Sequence, residues 1–224
     1  MSVHLRKEID RLKKQILTLS AAVEESVQKA VKAMAERDDR LAQRVIDQDI
    51  DIDEMEVEVE EECLKILALH QPVAIDLRFI IAVLKINNDL ERIGDLAVNI
   101  AERALFLSRQ EPVPMPFDFP TMSALAQSML HRSLDALVNM NSTLASEVCL
   151  ADDDLDAMNR EMYSRVHDGI LANPDRIDCF IQLLATSRQL ERIGDHATNI
   201  AQDVIYMIEG KIVRHRMGEY ASGK

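Results

Sequence analysis

Carboxylates recur in this sequence four residues apart. Glu91 and Asp95 form one pair, Glu191 and Asp195 a second, Asp49 and Asp53 a third, and Asp152 and Asp156 a fourth. A helix stacks residues i and i+4 on one face, so each pair lines up its anionic oxygens along a stripe. Asn99 and Asn199 extend two of these stripes by a further turn. Like charges one turn apart cost an exposed helix roughly 0.2–0.5 kcal/mol. Four carboxylates meeting in one groove need protonation or a counter-charge. A divalent or trivalent cation supplies the counter-charge, and oxygen donors suit Mg²⁺, Ca²⁺, Mn²⁺ or iron. A soft zinc site would want Cys or His at its centre, and the Glu-x-x-His pairs of di-iron bundles do not occur. His196 follows Asp195 directly, about 100° round the helix, at the edge of the stripe rather than on it. Glu56 and Glu60 continue the acidic run and are read as a solvated face.

Charge and composition exclude several other chemistries. Among 224 residues, 39 acids against 26 Lys and Arg give a formal net charge of −13, which repels nucleic acid and anionic lipid. There is no nucleophile constellation and no Gly-rich phosphate loop; Gly94 and Gly194 stand alone inside helical patterns. Cys63, Cys149 and Cys179 are far apart and read as reduced, buried small hydrophobes. The first residues are charged and lack an apolar leader, and the longest apolar run, Phe79 to Leu84, is too short to span a bilayer. A cytoplasmic protein without membrane insertion is expected.

The elements that position the stripes follow from periodicity. Val83, Ile86, Leu90, Ile93, Ala97, Ile100, Ala104 and Leu107 alternate three and four apart, the seam of a packed helix. Leu5, Ile9, Leu12, Ile16, Leu19 and Val23 predict a first helix. A second is predicted from Asp38 and Asp39 to Pro72, and a third from about Val73 to Leu107. Residues 111–120 hold four of the six prolines and predict an extended linker. Beyond it, Thr121 is the expected cap of a fourth helix and Asp152 and Asp153 of a fifth; Asn173-Pro174-Asp175 leads into a sixth, stopped by Gly210. The prediction is an all-α chain of two tandem three-helix bundles, residues 1–110 and 121–215, with a tail over 216–224.

The halves repeat. Leu90-Glu91-Arg92-Ile93-Gly94-Asp95 returns 100 positions later as Leu190-Glu191-Arg192-Ile193-Gly194-Asp195. The aspartate pairs return after 103, which predicts a shorter link before the last helix. Together with Gln71-Pro72-Val73-Ala74, Asp76-Leu77-Arg78, Asn99-Ile100-Ala101-Glu102, the run Glu191 to Ala201 and Gly210 to His215, the chain resembles the PhoU family over nearly its whole length. One departure is that Asp76-Leu77-Arg78 has no good copy in the second half, where Ile177-Asp178-Cys179-Phe180 stands. The resemblance implies two similar three-helix bundles, a usual homodimer, and negative control of the phosphate-starvation response. The implied partners are the ATP-binding subunit of the phosphate ABC transporter and a phosphate-sensing histidine kinase. It also implies metal on the carboxylate stripes, as iron clusters, zinc, or lighter cations such as Mn or Mg. Arg78, Arg92 and Arg192 are the candidate partner contacts, since arginine pairs two-pronged with carboxylates and is enriched where interfaces are strongest. A signalling adaptor without catalysis is the leading reading. A carboxylate-ligated metal-dependent enzyme and a metal buffer are the alternatives.

Overall fold

The computed structural model describes residues 3–211. These form seven α-helices: α1 (Val3–Glu36), α2 (Asp39–Asp47), α3 (Asp49–His70), α4 (Ala74–Ser108), α5 (Phe119–Asn139), α6 (Ser142–Ala172) and α7 (Ile177–Glu209), with one 3₁₀ turn at Pro174–Arg176. No strand occurs among the described residues. Helix α1 packs with α2, α3 and α4, and α5 packs with α6 and α7. The seam residues of α1, α4 and α7 are buried, so the three-four periodicity maps directly onto the core. The expected bundle end at 215, the tail over 216–224 and the motif residues 212–215 lie outside the described residues.

The two halves meet through α4 and α7. Lys85 Nζ lies 3.1 Å from Asp203 Oδ1, and Asn199 Nδ2 donates to Asp89 Oδ1 at 3.3 Å. Nearer the start of α4, the Arg78 guanidinium occupies the space that a Cβ on Gly210 would fill. As numbers fall along α4 their partners rise along α7, so the two helices run antiparallel. Gly210 ends α7 with φ +72, a conformation that favours glycine. A second bridge between the halves joins α1 to α5, where His131 Nδ1 lies 2.8 Å from Glu24 Oε1.

Four local expectations change. The helix predicted from Asp39 to Pro72 is two helices, broken at Gln48. Gln48 N–H still bonds the Arg44 carbonyl at 3.1 Å, but Asp51 N–H turns to the Gln48 carbonyl and opens a new helix. Asp49 and Asp51 then occupy the first turn of α3, where the exposed backbone N–H groups favour anions. Asp118, not Thr121, caps α5: it accepts from Thr121 N–H at 3.1 Å and from its hydroxyl at 2.7 Å. Pro120 sits in the first helical positions, where the missing N–H costs no helix bond. Helix α6 begins not at Asp152 but after Asn141, whose side chain accepts from Leu144 N–H at 3.0 Å. Met140 closes α5 in the left-handed region with φ 49. Asp152 and Asp153 are therefore mid-helix, on a segment whose buried residues run from Ala145 to Val166. Finally, the link before the last helix is not the shorter one. Three residues join α3 to α4, and Asn173 with the 3₁₀ turn joins α6 to α7. The missing length comes out of the helix itself: α4 starts at Ala74, 16 residues before Leu90, whereas α7 starts at Ile177, 13 before Leu190. Of Asp76-Leu77-Arg78, only Asp76 falls in the extra turn of α4; Leu77 and Arg78 align with Ile177 and Asp178 at the start of α7.

Between α4 and α5 the chain is pinned at its ends. Arg37 reaches the carbonyls of Leu107 and Gln110, and Arg176 pairs with Glu111. Phe117 and Phe119 are buried edge-to-face, 5.9 Å between ring centres. Glu111, Pro112, Pro114 and Met115 stay exposed. Limited proteolysis of the native chain is expected to cut first near Met115 and leave two resistant halves. An earlier cut inside α3 or α6 would contradict this arrangement.

Candidate metal centres

Each stripe forms where a glycine lets two helices close. A Cβ on Gly94 would sit 3.2 Å from Ile52 Cγ2 and 3.6 Å from Asp49 Oδ1, so α3 lies tight against α4. A Cβ on Gly194 would sit 2.4 Å from Leu155 Cδ2, so α6 is still tighter against α7. The glycines therefore serve close packing, and that packing carries the stripes together.

In the first half Asp49, Asp53, Glu91 and Asp95 form one electrostatic unit. Burial, and then the neighbouring charges of Asp53, Asp95 and Glu91, push the Asp49 carboxyl up to about 6. Glu91 is raised chiefly by burial, then by Asp95, with Arg92 opposing. In the second half burial, then Asp195 and Asp156, push Asp152 up to about 6, against a contribution from the Thr198 hydroxyl. Glu191 and Asp195 are raised in the same way, by burial first and then by neighbouring acids. Groups held this close in ionised form want a counter-charge.

One carboxylate oxygen each from Asp156, Glu191 and Asp195 lies within 4.8 Å of the others, close enough for all three to ligate one ion. Hard cations take oxygen ligands at about 2.0–2.6 Å, so small side-chain adjustments close the site around Mg²⁺, Mn²⁺ or Ca²⁺. Among the described residues no sulfur or imidazole joins the three.

The asparagines do not face their stripes in the same way. Asn99 Nδ2 donates to the Asp95 carbonyl at 2.8 Å, and its side-chain oxygen is 3.5 Å from Arg103 Nη1. Asn199 turns its amide nitrogen across to Asp89 of α4, and His196 joins it there, with Nδ1 2.8 Å from Asp89 Oδ1. His196 thus belongs to the contact between halves, and Asp89, 8% exposed, is its partner. Arg92 pairs with Glu91 at 3.3 Å and with Asp95 at 3.2 Å, while Arg192 is exposed.

Sequence reasoning missed three residues. Glu56, read as solvent-facing, is partly buried, and its side-chain and backbone oxygens accept from Asn87 Nδ2 at 2.9 and 3.0 Å. Asn87 was legible in principle, since it stands one turn before Glu91 on the same face. Thr198, at the site of Val98 in the first half, was legible only by comparing the halves.

A duplicated helical bundle with carboxylates gathered between neighbouring helices of each half defines a class of tandem helical-bundle proteins. The PhoU domain model matches residues 16–104 and 119–204, one copy per half. The chain belongs to the PhoU family. A PhoU homolog of Aquifex aeolicus, described as a phosphate-specific transport system accessory protein, is 36% identical over 95% of this chain and 96% of its own length. One from Pseudomonas aeruginosa is 36% identical over 96% of this chain and 89% of its own. The crystal structure of PhoU from Pseudomonas aeruginosa superposes with a TM-score of 0.89 at 35% identity, covering 92% of this chain and 99% of that one. The phosphate transport system regulatory protein PhoU of Streptococcus pneumoniae gives 0.81 at 29% identity, covering 93% and 99%. These are accessory and regulatory proteins, and the family to which the chain belongs is not one of enzymes. No helix among the described residues is long and apolar enough to cross a membrane.

Proposed function

We propose that this chain is a cytoplasmic regulator of phosphate uptake, a cation-loaded adaptor between the ATP-binding subunit of a phosphate ABC transporter and a phosphate-sensing histidine kinase. Family membership is the observation that carries this reading, since the relatives are named for accessory service to phosphate-specific transport. When phosphate is plentiful the adaptor keeps the kinase from activating its response regulator. In this reading the halves are residues 1–110 and 121–215, joined by 111–120, and the working form is a homodimer. Asp49, Asp53, Glu91 and Asp95 hold cations in the first half, with Asn99 one turn on. Asp152, Asp156, Glu191 and Asp195 do so in the second, with Asn199 one turn on. The ion fixes the spacing between helices and cancels the local charge that would repel an acidic partner surface.

Arg92 and Arg192 lie beside the stripes on exposed helix faces, where they can pair with a partner's carboxylates. Arg78 is placed differently, at the C-terminal end of α7, and would mark a separate contact. Deleting the gene in a strain without a second copy is expected to switch on phosphate-starvation genes in phosphate-rich medium. Arg92→Glu is expected to do the same while the purified variant keeps its helical signal and melting temperature. Normal repression in the deletion strain would refute the regulatory reading. Tight, stoichiometric cation binding without capture of either partner would favour a metal buffer instead.

A further inference from the structure

Helix α3 turns an apolar row to solvent. Ile50, Val57 and Leu64 are 58%, 49% and 54% exposed. Steps of seven drift only about 20° round a helix, so the three form one strip about 21 Å long. Ile50 stands about 160° round the helix from Ile52, the residue that packs on Gly94, so the strip lies away from α4. Exposed acids rim it: Asp51, Asp53, Glu54, Glu58, Glu60 and Glu61. From Asp49 to Leu64 the helix carries no Lys or Arg.

The second half presents a different face at the same place. At the aspartate-pair offset of 103, Ile50, Val57 and Leu64 correspond to Asp153, Arg160 and His167, all exposed. The buried positions keep their character across that offset, since Ile52 and Val59 correspond to Leu155 and Met162. The fold itself therefore needs no apolar residue on this outer face. Charges on α6 are met within the helix: Arg160 lies 3.9 Å from Asp156, and Arg165 2.6 Å from Glu161. On α3, Glu54, Glu58 and Glu61 have no ion-pair partner among the described residues. Beside them a cleft of about 400 Å³ opens between α1 and α3, lined by Arg11, Gln15, Glu58, Glu61, Glu62 and Lys65. Its two cations are already used, Lys65 by Glu8 and Glu62, and Arg11 by Glu62. The buried Oε1 of Gln15 accepts no hydrogen bond.

We infer that the outer face of α3 docks a basic amphipathic helix of a partner protein. Apolar residues of that helix, three and four apart, cover Ile50, Val57 and Leu64, and its Lys or Arg side chains meet the acid rim. Apolar contact supplies the drive, and charge the choice of partner. One basic side chain fits the cleft, where Glu58, Glu61 and the Gln15 oxygen supply acceptors. A second copy of this chain is a poor occupant, because pairing α3 with its own copy sets one acid rim against another, and like charges facing across an interface repel. The surface is separate from the cation stripes: Glu54, Glu58 and Glu61 belong to neither, and the docking does not depend on whether the stripes hold metal.

The probe is a labelled synthetic peptide of about three heptads, with Leu at the two seam positions of each and Lys elsewhere. A scrambled peptide of identical composition is the control, and binding to the full chain in chelator is read by fluorescence anisotropy. The native chain is expected to bind the amphipathic peptide at least about tenfold more tightly than the scrambled one. The variant Ile50→Asp/Val57→Arg/Leu64→His carries the second half's own residues and leaves the net charge unchanged with His neutral. It should lose that preference while circular dichroism shows it folded. Val57→Arg alone tests the same contact if the triple variant melts early: loss of preference supports the docking, and its retention refutes it. Glu58→Gln/Glu61→Gln should weaken binding and flatten its salt dependence, whereas Arg160→Ala on the matching face of α6 should bind as the native chain does. Equal affinity for the two peptides, or an unchanged preference in the folded triple variant, would overturn the proposal. So would a native dimer that the triple variant breaks and the peptide does not displace, since that face would then join two copies of this chain.

Discussion

Raising the pH from about 4 to about 7 without divalent cations is expected to destabilise the folded chain. Asp49 and Asp152 are each pushed from 3.8 to about 6 in the fold. A carboxyl whose pKa is raised by folding binds its proton more tightly when folded, so its contribution is full below the unfolded value and is lost as the pH rises through the folded one. Glu56, Glu91, Glu191 and Asp195 are raised too and act in the same direction. A two-unit shift corresponds to roughly 3 kcal/mol; solvent screening at these partly open groups reduces it to about 1–2 kcal/mol each. Asp118, held low by its bonds from Thr121, acts in the opposite sense. The quantity to read is therefore the difference between the native chain and an Asp49→Asn/Asp152→Asn variant in thermal melts with chelator. The native profile should fall between pH 4 and 7 and the variant's should be flatter. At pH 7, Mn²⁺ at about a hundred times its dissociation constant should restore about 2.7 kcal/mol to the native chain. Parallel profiles for the two proteins, or no gain from Mn²⁺, would show that the clusters are ordinary solvated acids.

Truncating Leu155 is expected to be costly, and a second substitution that is itself harmful should partly repair it. Leu155 is fully buried and lies 2.4 Å from where a Cβ on Gly194 would stand. Leu155→Ala should cost about 2–5 kcal/mol in urea unfolding through the cavity it leaves. Gly194→Ala alone gains about 1 kcal/mol of helix propensity but overpacks by about 1–3 kcal/mol, a net loss. In the double variant the new methyl meets space instead of Leu155 Cδ2, so the double should be more stable than Leu155→Ala alone. Additive energies would show that the two side chains do not share the contact. Gly94→Ala should stay near neutral, because its nearest contact, Ile52 Cγ2, is at 3.2 Å and has less to yield. Leu155 also precedes Asp156, so Leu155→Ala should weaken Mn²⁺ binding at the second cluster although it removes no ligand.

What the sequence determined is what lies along one helix. The seams of α1, α4 and α7, the carboxylate stripes, the proline-rich link and the repeat are all periodicities of a single segment, and each turn repeats the same geometry. The family was legible for the same reason, since its motifs are runs of neighbouring residues. The breaks were less legible. Gln48 and Met140 look like ordinary helix formers, and Asp152 looks like a cap because aspartate often is one. Only packing separates these cases, by burying the seam of α6 straight through Asp152 and by ending α2 where α3 must turn along α4. Contacts between helices belonged to the tertiary structure alone. The antiparallel register of α4 and α7 sets Asp89 against His196 and Asn199, more than a hundred positions away. The approach of α3 to α4 turns Glu56 from a solvated acid into the partner of Asn87. No periodicity within one helix carries the axial offset of its neighbour; side-chain volumes at glycines such as Gly94 and Gly194 set it, and they do so only once the helices have met.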